Sequence, residues 1–193
     1  MNNDLIPLLL DAGLLQFGRF ITKHGIVPLR THLEMLASYP DVLAVVVERA
    51  ASDISGLQVD RMLCGPTALP LGTALSMKTD IPLVYSRGSQ APAVNDLVGA
   101  YDIGHPTLVL ANSLDAGDEL ALLVQKARHV GLETHTALVV LDTGHSIALQ
   151  DVELRVLLRL EAVVNELAGS GYLPAGHAQQ MRVWLDANRL RQD

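Results

Sequence analysis

The segment 107–131, TLVLANSLDAGDELALLVQKARHVG, decides how we interpret the fold. It begins with a short apolar run of the kind found in strands that are covered on both faces of a parallel sheet. It continues with apolar residues at helical spacing and stops at Gly131 behind basic residues, which favours a helix C-terminus there. A strand that leads directly into a helix predicts one unit of a parallel α/β sheet.

The same alternation of strands and helices extends on both sides of this unit. The further elements are predicted as a helix at 41–55, a strand at 60–65, a helix at 67–79, and strands at 81–86 and 134–142. We therefore expect an α/β fold, with a central parallel sheet of about five strands flanked by helices on both faces.

The two ends of the chain and one internal segment lie outside this pattern. Residues 1–38 are predicted to form a small hood on a main domain that spans 1–150, and the C-terminal helices contribute to it. Residues 151–193 are predicted as a C-terminal extension of two amphipathic helices, packed on the same domain and separated by a Gly/Ser/Pro turn. Residues 87–104 carry turn formers and few periodic apolar positions, which predicts a mobile loop.

Composition excludes several classes of protein. The 193 residues carry a formal net charge of −7, whereas binders of nucleic acid or anionic membranes need a basic surface. The single cysteine, Cys64, allows no internal disulfide framework and is typical of a reducing compartment. No apolar run approaches the length of a membrane span. We expect a cytoplasmic protein with no nucleic-acid or membrane partner.

Familiar catalytic motifs are absent or incomplete. Asp142-Thr143-Gly144 is the tripeptide of aspartic proteases, but those enzymes need two such aspartates on an all-β scaffold. We interpret this single copy as a turn at the end of a strand. The seven histidines are scattered and no cysteine is paired, so no metal site is predicted. P-loop, nucleophile-elbow and dinucleotide signatures are also missing.

A family resemblance appears when four segments are considered in order. They are LLQFGRFITKHGIVP (14–28), CGPTALPLGTALSMKTDIPLVYSRG (64–88), the strand, loop and helix of 108–130, and THTALVVLDTG (134–144). Together they resemble orotate phosphoribosyltransferases of the type I phosphoribosyltransferase fold, over most of residues 11–145. The resemblance implies transfer of a phosphoribosyl group from 5-phosphoribosyl 1-pyrophosphate (PRPP) with magnesium. It also implies a homodimer.

The resemblance assigns three anion contacts to this chain. Lys23 stands at the place of a lysine that reaches the ligand phosphates. Gly65 and Pro66 match the turn whose backbone contacts pyrophosphate, and Arg87 matches a phosphate-binding arginine at the end of the next strand. However, the lysine and glycine that usually follow the turn are missing, and GSQAPAVND (88–96) lacks the lysines and histidine of the family's catalytic loop.

The sugar and base contacts are also altered. Ala111 and Asn112 stand where the family has two acidic residues that grip the ribose hydroxyls. In the loop that cradles the 5′-phosphate, Asp115 replaces a threonine, Gly117 fits, and Asp118 takes another hydroxyl position. The arginine that binds the carboxylate of orotate is matched by Thr143.

Electrostatics indicates what the acidic loop does. A helix N-terminus favours an anion by about 0.3–1 kcal/mol. A dianionic phosphate near 5 Å from a carboxylate is repelled by about 6 kcal/mol at an effective dielectric near 20. Asp115 is suited to cap the N–H of Asp118, and acidic residues at Asp118 and Glu119 complement the helix. These carboxylates predict that the loop no longer binds phosphate. Together with the replacement of the acidic pair by Ala111 and Asn112, they predict weak or absent PRPP binding.

Three hypotheses remain open from the sequence. The first is a catalytically degenerate member that acts as a ligand-binding, regulatory or partner module near nucleotide metabolism. The second is an active phosphoribosyltransferase with a divergent, non-orotate acceptor, which would use magnesium and PRPP. The third is a structural dimer. The sequence itself requires no cofactor, and a small-molecule ligand fits the first hypothesis.

Overall fold

The computed structural model describes residues 5–22, 25–90, 94–114, 119–145 and 149–190. The candidate residues Lys23, Asp115 and Gly117 lie outside these ranges, as does Asp118. The helices are α1 (Leu5–Asp11), α2 (Pro40–Asp53), α3 (Leu69–Thr79), α4 (Glu119–His129), α5 (Leu160–Gly169) and α6 (Ala175–Leu190). The strands are β1 (Leu15–Thr22), β2 (Gly25–Thr31), β3 (Arg61–Cys64), β4 (Leu83–Ser86), β5 (Leu97–Val98), β6 (Pro106–Leu114), β7 (Glu133–Asp142) and β8 (Glu153–Arg159).

The main sheet has the strand order β5-β4-β3-β6-β7-β8. Every neighbouring pair is parallel except β4 with β5, which is antiparallel. The expected α/β fold with a central, mostly parallel sheet is therefore confirmed. Because parallel strands end at one edge of the sheet, the carboxyl ends of β3, β4, β6 and β7 share that edge.

Strand β6 shows why its sequence is a continuous apolar run. Leu108 and Leu110 face the core that includes α2 and α3, whereas Val109 and Ala111 face the core that includes α4. Alternate side chains of a strand point to opposite faces, so a strand covered on both faces needs apolar residues throughout. This burial fixes Ala111 inside the α4 layer.

The end of α4 follows the predicted cap. Gly131 has φ +84°, a left-handed conformation in which a side chain would be strained. The N–H of Leu132 donates to the carbonyl of Ala127 at 3.0 Å, and the N–H of Gly131 donates to Arg128 at 3.1 Å. These bonds satisfy carbonyls that the last helical turn leaves open.

The expectation of a mobile loop over 87–104 is wrong for part of that segment. Strand β5 pairs with β4 through Tyr85 with Val98 and Ser86 with Leu97. Asp96, directly before β5, is buried. A buried carboxylate and a strand pairing anchor this part to the body of the protein, and single-sequence periodicity did not register either.

The expectation of two helices after residue 150 is wrong for 153–159. These residues form β8, which pairs in parallel with β7 from Thr136 with Glu153 to Asp142 with Arg159. The helical part of the first predicted segment is confined to α5. The free edge of β7 offers backbone hydrogen-bond partners, and this tertiary opportunity outweighs the helical pattern.

A small layer lies beside the main sheet. Strands β1 and β2 form an antiparallel hairpin, and α6 packs against β2 and α5. Across the part of the chain that the structure describes, no helix combines the length and apolarity that a membrane crossing requires.

Candidate functional site

The turn after β3 is shaped by a close approach from α4. Gly65 has the extended conformation φ −82°, ψ 174°, which any residue can adopt. A Cβ at this position would nevertheless overlap the Oε1 atom of Glu119 and lie 3.1 Å from its Cδ. A side chain at position 65 would therefore require the carboxylate of Glu119 to move, whereas the backbone conformation itself does not require glycine.

A hydroxyl holds the same carboxylate in place. The Oγ1 of Thr67 lies 3.2 Å from Oε1 and 3.1 Å from Oε2 of Glu119, so the hydroxyl donates one hydrogen shared between the two oxygens. Glu119 is the first residue of α4, where a negative charge also complements the helix dipole. The carboxylate of Glu119 thus interacts both with the turn at 65–67 and with the start of its own helix.

Asn112 and Ala111 are structural residues in this geometry. Asn112 is 6% exposed, and its Nδ2 donates to the carbonyl of Thr67 at 2.8 Å. Its buried Oδ1 has no hydrogen-bond partner among the residues that the structure describes. Ala111 is 1% exposed and packs in the apolar cluster with Leu120 and Leu123. The pair therefore fastens β6 to its surroundings.

Thr143 stands where the resemblance places the arginine that binds orotate, directly after β7. Its buried hydroxyl donates to the carbonyl of Leu114. Its oxygen also lies 2.9 Å from Nδ1 of His145 and, with its one hydrogen already donated, accepts there. The His145 ring meets Trp184 of α6 edge-on, with ring centroids 6.0 Å apart. The hydroxyl of Thr143 is therefore engaged in hydrogen bonds within the protein.

Arg87 differs from these residues because its side chain is exposed at the end of β4. Its backbone N–H donates to the carbonyl of Asp96 at 2.8 Å. Arg87 follows β4 and Gly65 follows β3, and these two strands are neighbours in the sheet. The structure therefore brings Gly65, Pro66, Arg87 and Asn112 to one edge, while their binding roles stay predictions.

A buried ion pair beside this edge was missed by sequence reasoning. The Nζ of Lys126 lies 2.8 Å from Oδ2 of Asp96, and both side chains are 2% exposed. Lys126 also donates to Ser86 Oγ at 2.8 Å and to the carbonyl of Ser89 at 2.7 Å. The three hydrogens of the ammonium group are thus all engaged. In the sequence, the only sign of this ion pair was a lysine inside the amphipathic segment that forms α4.

Asp96 is ionised because its hydrogen bonds outweigh its burial. Burial alone would raise the pKa of the carboxyl, but bonds from Lys126, Ser86 and Ser89 hold that pKa below its usual range. Ser86 donates to Oδ2 at 2.5 Å and the N–H of Ser89 donates to Oδ1 at 3.0 Å. Both oxygens therefore have partners, as a buried charge requires.

A cavity of about 260 Å³ lies between the contact of Glu119 with the turn after β3 and the residues that surround Lys126. Its lining includes Gly65, Ser86, Ser89, Gln90, Glu119 and Lys126. The ammonium of Lys126 is neutralised by Asp96, so it offers no spare donor to an anion. Burial and then the charge of Glu119 raise the pKa of the adjacent Cys64 thiol to about 12. The carboxylate of Glu119 gives the cavity an acidic side chain beside the turn that follows β3.

These residues do not fit magnesium with PRPP as the family resemblance implies it. Magnesium is usually held by carboxylates together with substrate phosphates, and Ala111 supplies no oxygen. Asn112 supplies one amide oxygen, and the carboxylate of Glu119 is already held by Thr67. Within the described ranges, no group of three or more His, Cys, Asp or Glu residues is placed to hold a metal ion.

Comparison with known proteins gives clear relatives. The curated orotate phosphoribosyltransferase of Pyrobaculum calidifontis is 31% identical over 138 residues, covering 69% of this chain and 72% of that protein. The curated orotate phosphoribosyltransferase of Archaeoglobus fulgidus is 23% identical over 146 residues, covering 74% of this chain and 82% of that protein. No model of a known protein family matches the chain.

Solved structures agree on the fold. The orotate phosphoribosyltransferase of Aeropyrum pernix superposes with a TM-score of 0.75 at 20% identity, covering 85% of this chain and 98% of that one. The UMP synthase of Leishmania donovani superposes with a TM-score of 0.81 at 22% identity, covering 95% of this chain. This chain spans 42% of the length of that protein.

Proposed function

This chain belongs to the orotate phosphoribosyltransferase family, and we propose that it is a member that no longer transfers the phosphoribosyl group. In this proposal it serves as a ligand-binding, regulatory or partner module near nucleotide metabolism. One observation carries the proposal: where the resemblance calls for two carboxylates, the chain has a buried alanine and an asparagine whose amide is bonded to Thr67.

The chemistry lost at this position is large. Opposite unit charges 4 Å apart attract by about 4 kcal/mol at an effective dielectric near 20, and the Ala111–Asn112 pair provides no negative charge. The Nδ2 of Asn112 would have to leave the carbonyl of Thr67 to meet a ligand. Leaving a buried polar group unpaired costs about 1–3 kcal/mol. Both effects oppose a magnesium–PRPP complex here.

The base side of the site supports the same proposal. Thr143 stands where the resemblance places an arginine, and its hydroxyl is bonded to Leu114 and His145. A hydroxyl engaged in this way offers no cation to the carboxylate of orotate. We therefore propose that any small-molecule ligand of this chain differs from orotate.

A second candidate is an active phosphoribosyltransferase with a divergent acceptor, and one observation favours it. Gly65, Pro66 and the exposed Arg87 are kept at neighbouring strand ends, where the resemblance places contacts to pyrophosphate. That candidate requires magnesium and PRPP to bind with this altered set of residues. The two candidates therefore differ in a property that can be measured directly.

The test is binding of PRPP with magnesium, followed by thermal unfolding and calorimetry. A ligand at 100 times its dissociation constant stabilises a protein by about 2.7 kcal/mol. We expect no such shift, and no release of pyrophosphate with orotate or with other nitrogenous bases. The enzyme of Pyrobaculum calidifontis, assayed in parallel, is the positive control. A saturable shift together with pyrophosphate release would establish the second candidate instead.

The homodimer implied by the resemblance is also a proposal. It can be tested by sedimentation equilibrium, with the outcome given by the mass in solution. A mass near 20.7 kDa, that of one chain, would count against it. A cytoplasmic location likewise remains an expectation from the sequence.

A further inference from the structure

The contact of Glu119 with the turn at 65–67 is the feature that carries an additional inference. The carboxylate lies so close to Gly65 that a methyl group there would overlap it. It also accepts the hydrogen of Thr67 at 3.1–3.2 Å. An acidic group thus occupies the surface of the turn from the outside, as a small external anion would.

Lys126, a buried cation that lines the same cavity, is committed to other partners. The three hydrogens of Lys126 are directed to Asp96, Ser86 and Ser89. The carboxylate of Glu119 itself lines the cavity. A second anion entering the cavity would be repelled by it.

We propose that Glu119 is a built-in occupant of the Gly65–Thr67 turn, which keeps small polyvalent anions out of the adjoining cavity. The inference rests on the proposed function, because it names the side chain that regulates access to the same site. The hydroxyl of Thr67 is the group for which the carboxylate and an external anion compete. Glu119 is therefore an autoinhibitory contact.

Two substitutions separate charge from contact. Glu119→Ala removes the charge and uncovers the hydroxyl of Thr67, whereas Glu119→Gln removes the charge and keeps the size of the side chain. Glu161→Ala makes the same change in the first turn of α5, and it is the matched control. Glu119→Ala combined with Thr67→Val removes the hydroxyl that an incoming anion would use.

The experiment is calorimetric titration of each full-length variant with inorganic pyrophosphate and with inorganic phosphate at low ionic strength. We expect the wild type and Glu161→Ala to bind pyrophosphate equally weakly. We expect Glu119→Ala to bind pyrophosphate at least about tenfold more tightly than the wild type, and Glu119→Gln to show a smaller gain. The double variant should lose the gain of Glu119→Ala.

Three outcomes would overturn the inference. One is a folded Glu119→Ala variant that binds no better than the wild type, confirmed with Glu119→Gln; this leaves the proposed function standing, because PRPP binding is measured separately. Another is a wild type that already binds pyrophosphate as tightly as the variants. The last is a gain that persists when Thr67 is replaced by valine. Circular dichroism establishes which variants are folded.

Discussion

Two carboxylates near one cavity of this protein are held in different ways. Glu119 lines the cavity, whereas Asp96 does not and instead bonds the lining residues Ser86, Ser89 and Lys126. Asp96 is buried, and its charge is matched by Lys126 and by hydrogen bonds to both oxygens. Glu119 is only half-buried and is held by the hydroxyl of Thr67. The difference illustrates that a buried charge must be compensated within the protein, whereas a half-buried carboxylate can also be solvated by water.

The largest expected effect on stability comes from removing the cation that compensates the charge of Asp96. Lys126→Met leaves the Asp96 charge buried without its cation, which costs about 3–5 kcal/mol in comparable buried pairs. Chemical denaturation monitored by circular dichroism measures this change in the free energy of unfolding. The matched control is Lys78→Met, which breaks an exposed pair with Glu48 and should cost at most about 1 kcal/mol.

A compensating change sharpens this result. Lys126→Met combined with Asp96→Leu removes both charges and should recover much of the lost stability, because uncharged replacements of a buried pair are often tolerated. Equal destabilisation by Lys126→Met and Lys78→Met would contradict the assignment of Lys126 to a buried pair.

The pH dependence of stability should report the same pair. Since the folded-state pKa of Asp96 is lowered, its contribution is present above the unfolded pKa of about 3.9 and is lost as the pH falls through the folded-state value. Urea denaturation of the wild type and of Asp96→Asn should therefore differ most near neutral pH. The difference should shrink in acid below the unfolded pKa. A difference that stays constant would show that Asp96 does not titrate in this way.

An intermediate effect is expected at the end of β7. Thr143→Val leaves the carbonyl of Leu114 and the ring of His145 without their hydroxyl partner. We expect a loss of about 1–3 kcal/mol in the free energy of unfolding, measured by thermal and chemical denaturation. Thr22→Val, at an exposed hydroxyl that bonds Gly25, is the control. Losses of the same size in both variants would argue against a structural role for Thr143.

The smallest change in stability is expected at Glu119. Glu119→Gln keeps an oxygen acceptor for Thr67 and loses a charge that is partly in water, so the free energy of unfolding should change by less than about 1 kcal/mol. The same denaturation assay checks this. A loss as large as that of Lys126→Met would mean that Glu119 is a core structural residue and would weaken its assignment as an occupant of the site.

Local patterns were sufficient wherever one element determines its own structure. The apolar run of β6, the helical spacing of α2 and α4, and the glycine after α4 predicted strand, helices and cap correctly. The order of these elements, and the resemblance they carry, indicated the parallel sheet. Replacement of the acidic pair by Ala111 and Asn112 could also be read directly.

What only the tertiary structure decided depends on contacts between distant segments. Three of these contacts join residues far apart in the chain. They are the pairing of β8 with β7, the ion pair of Asp96 with Lys126, and the hydrogen bond from Thr67 to Glu119. Periodicity describes only the face on which a side chain lies, whereas hydrogen bonds and ion pairs depend on distance in space. The sequence therefore determined the scaffold and the missing carboxylates. The folded arrangement determined that Lys126 neutralises Asp96 and that Glu119 lines the cavity.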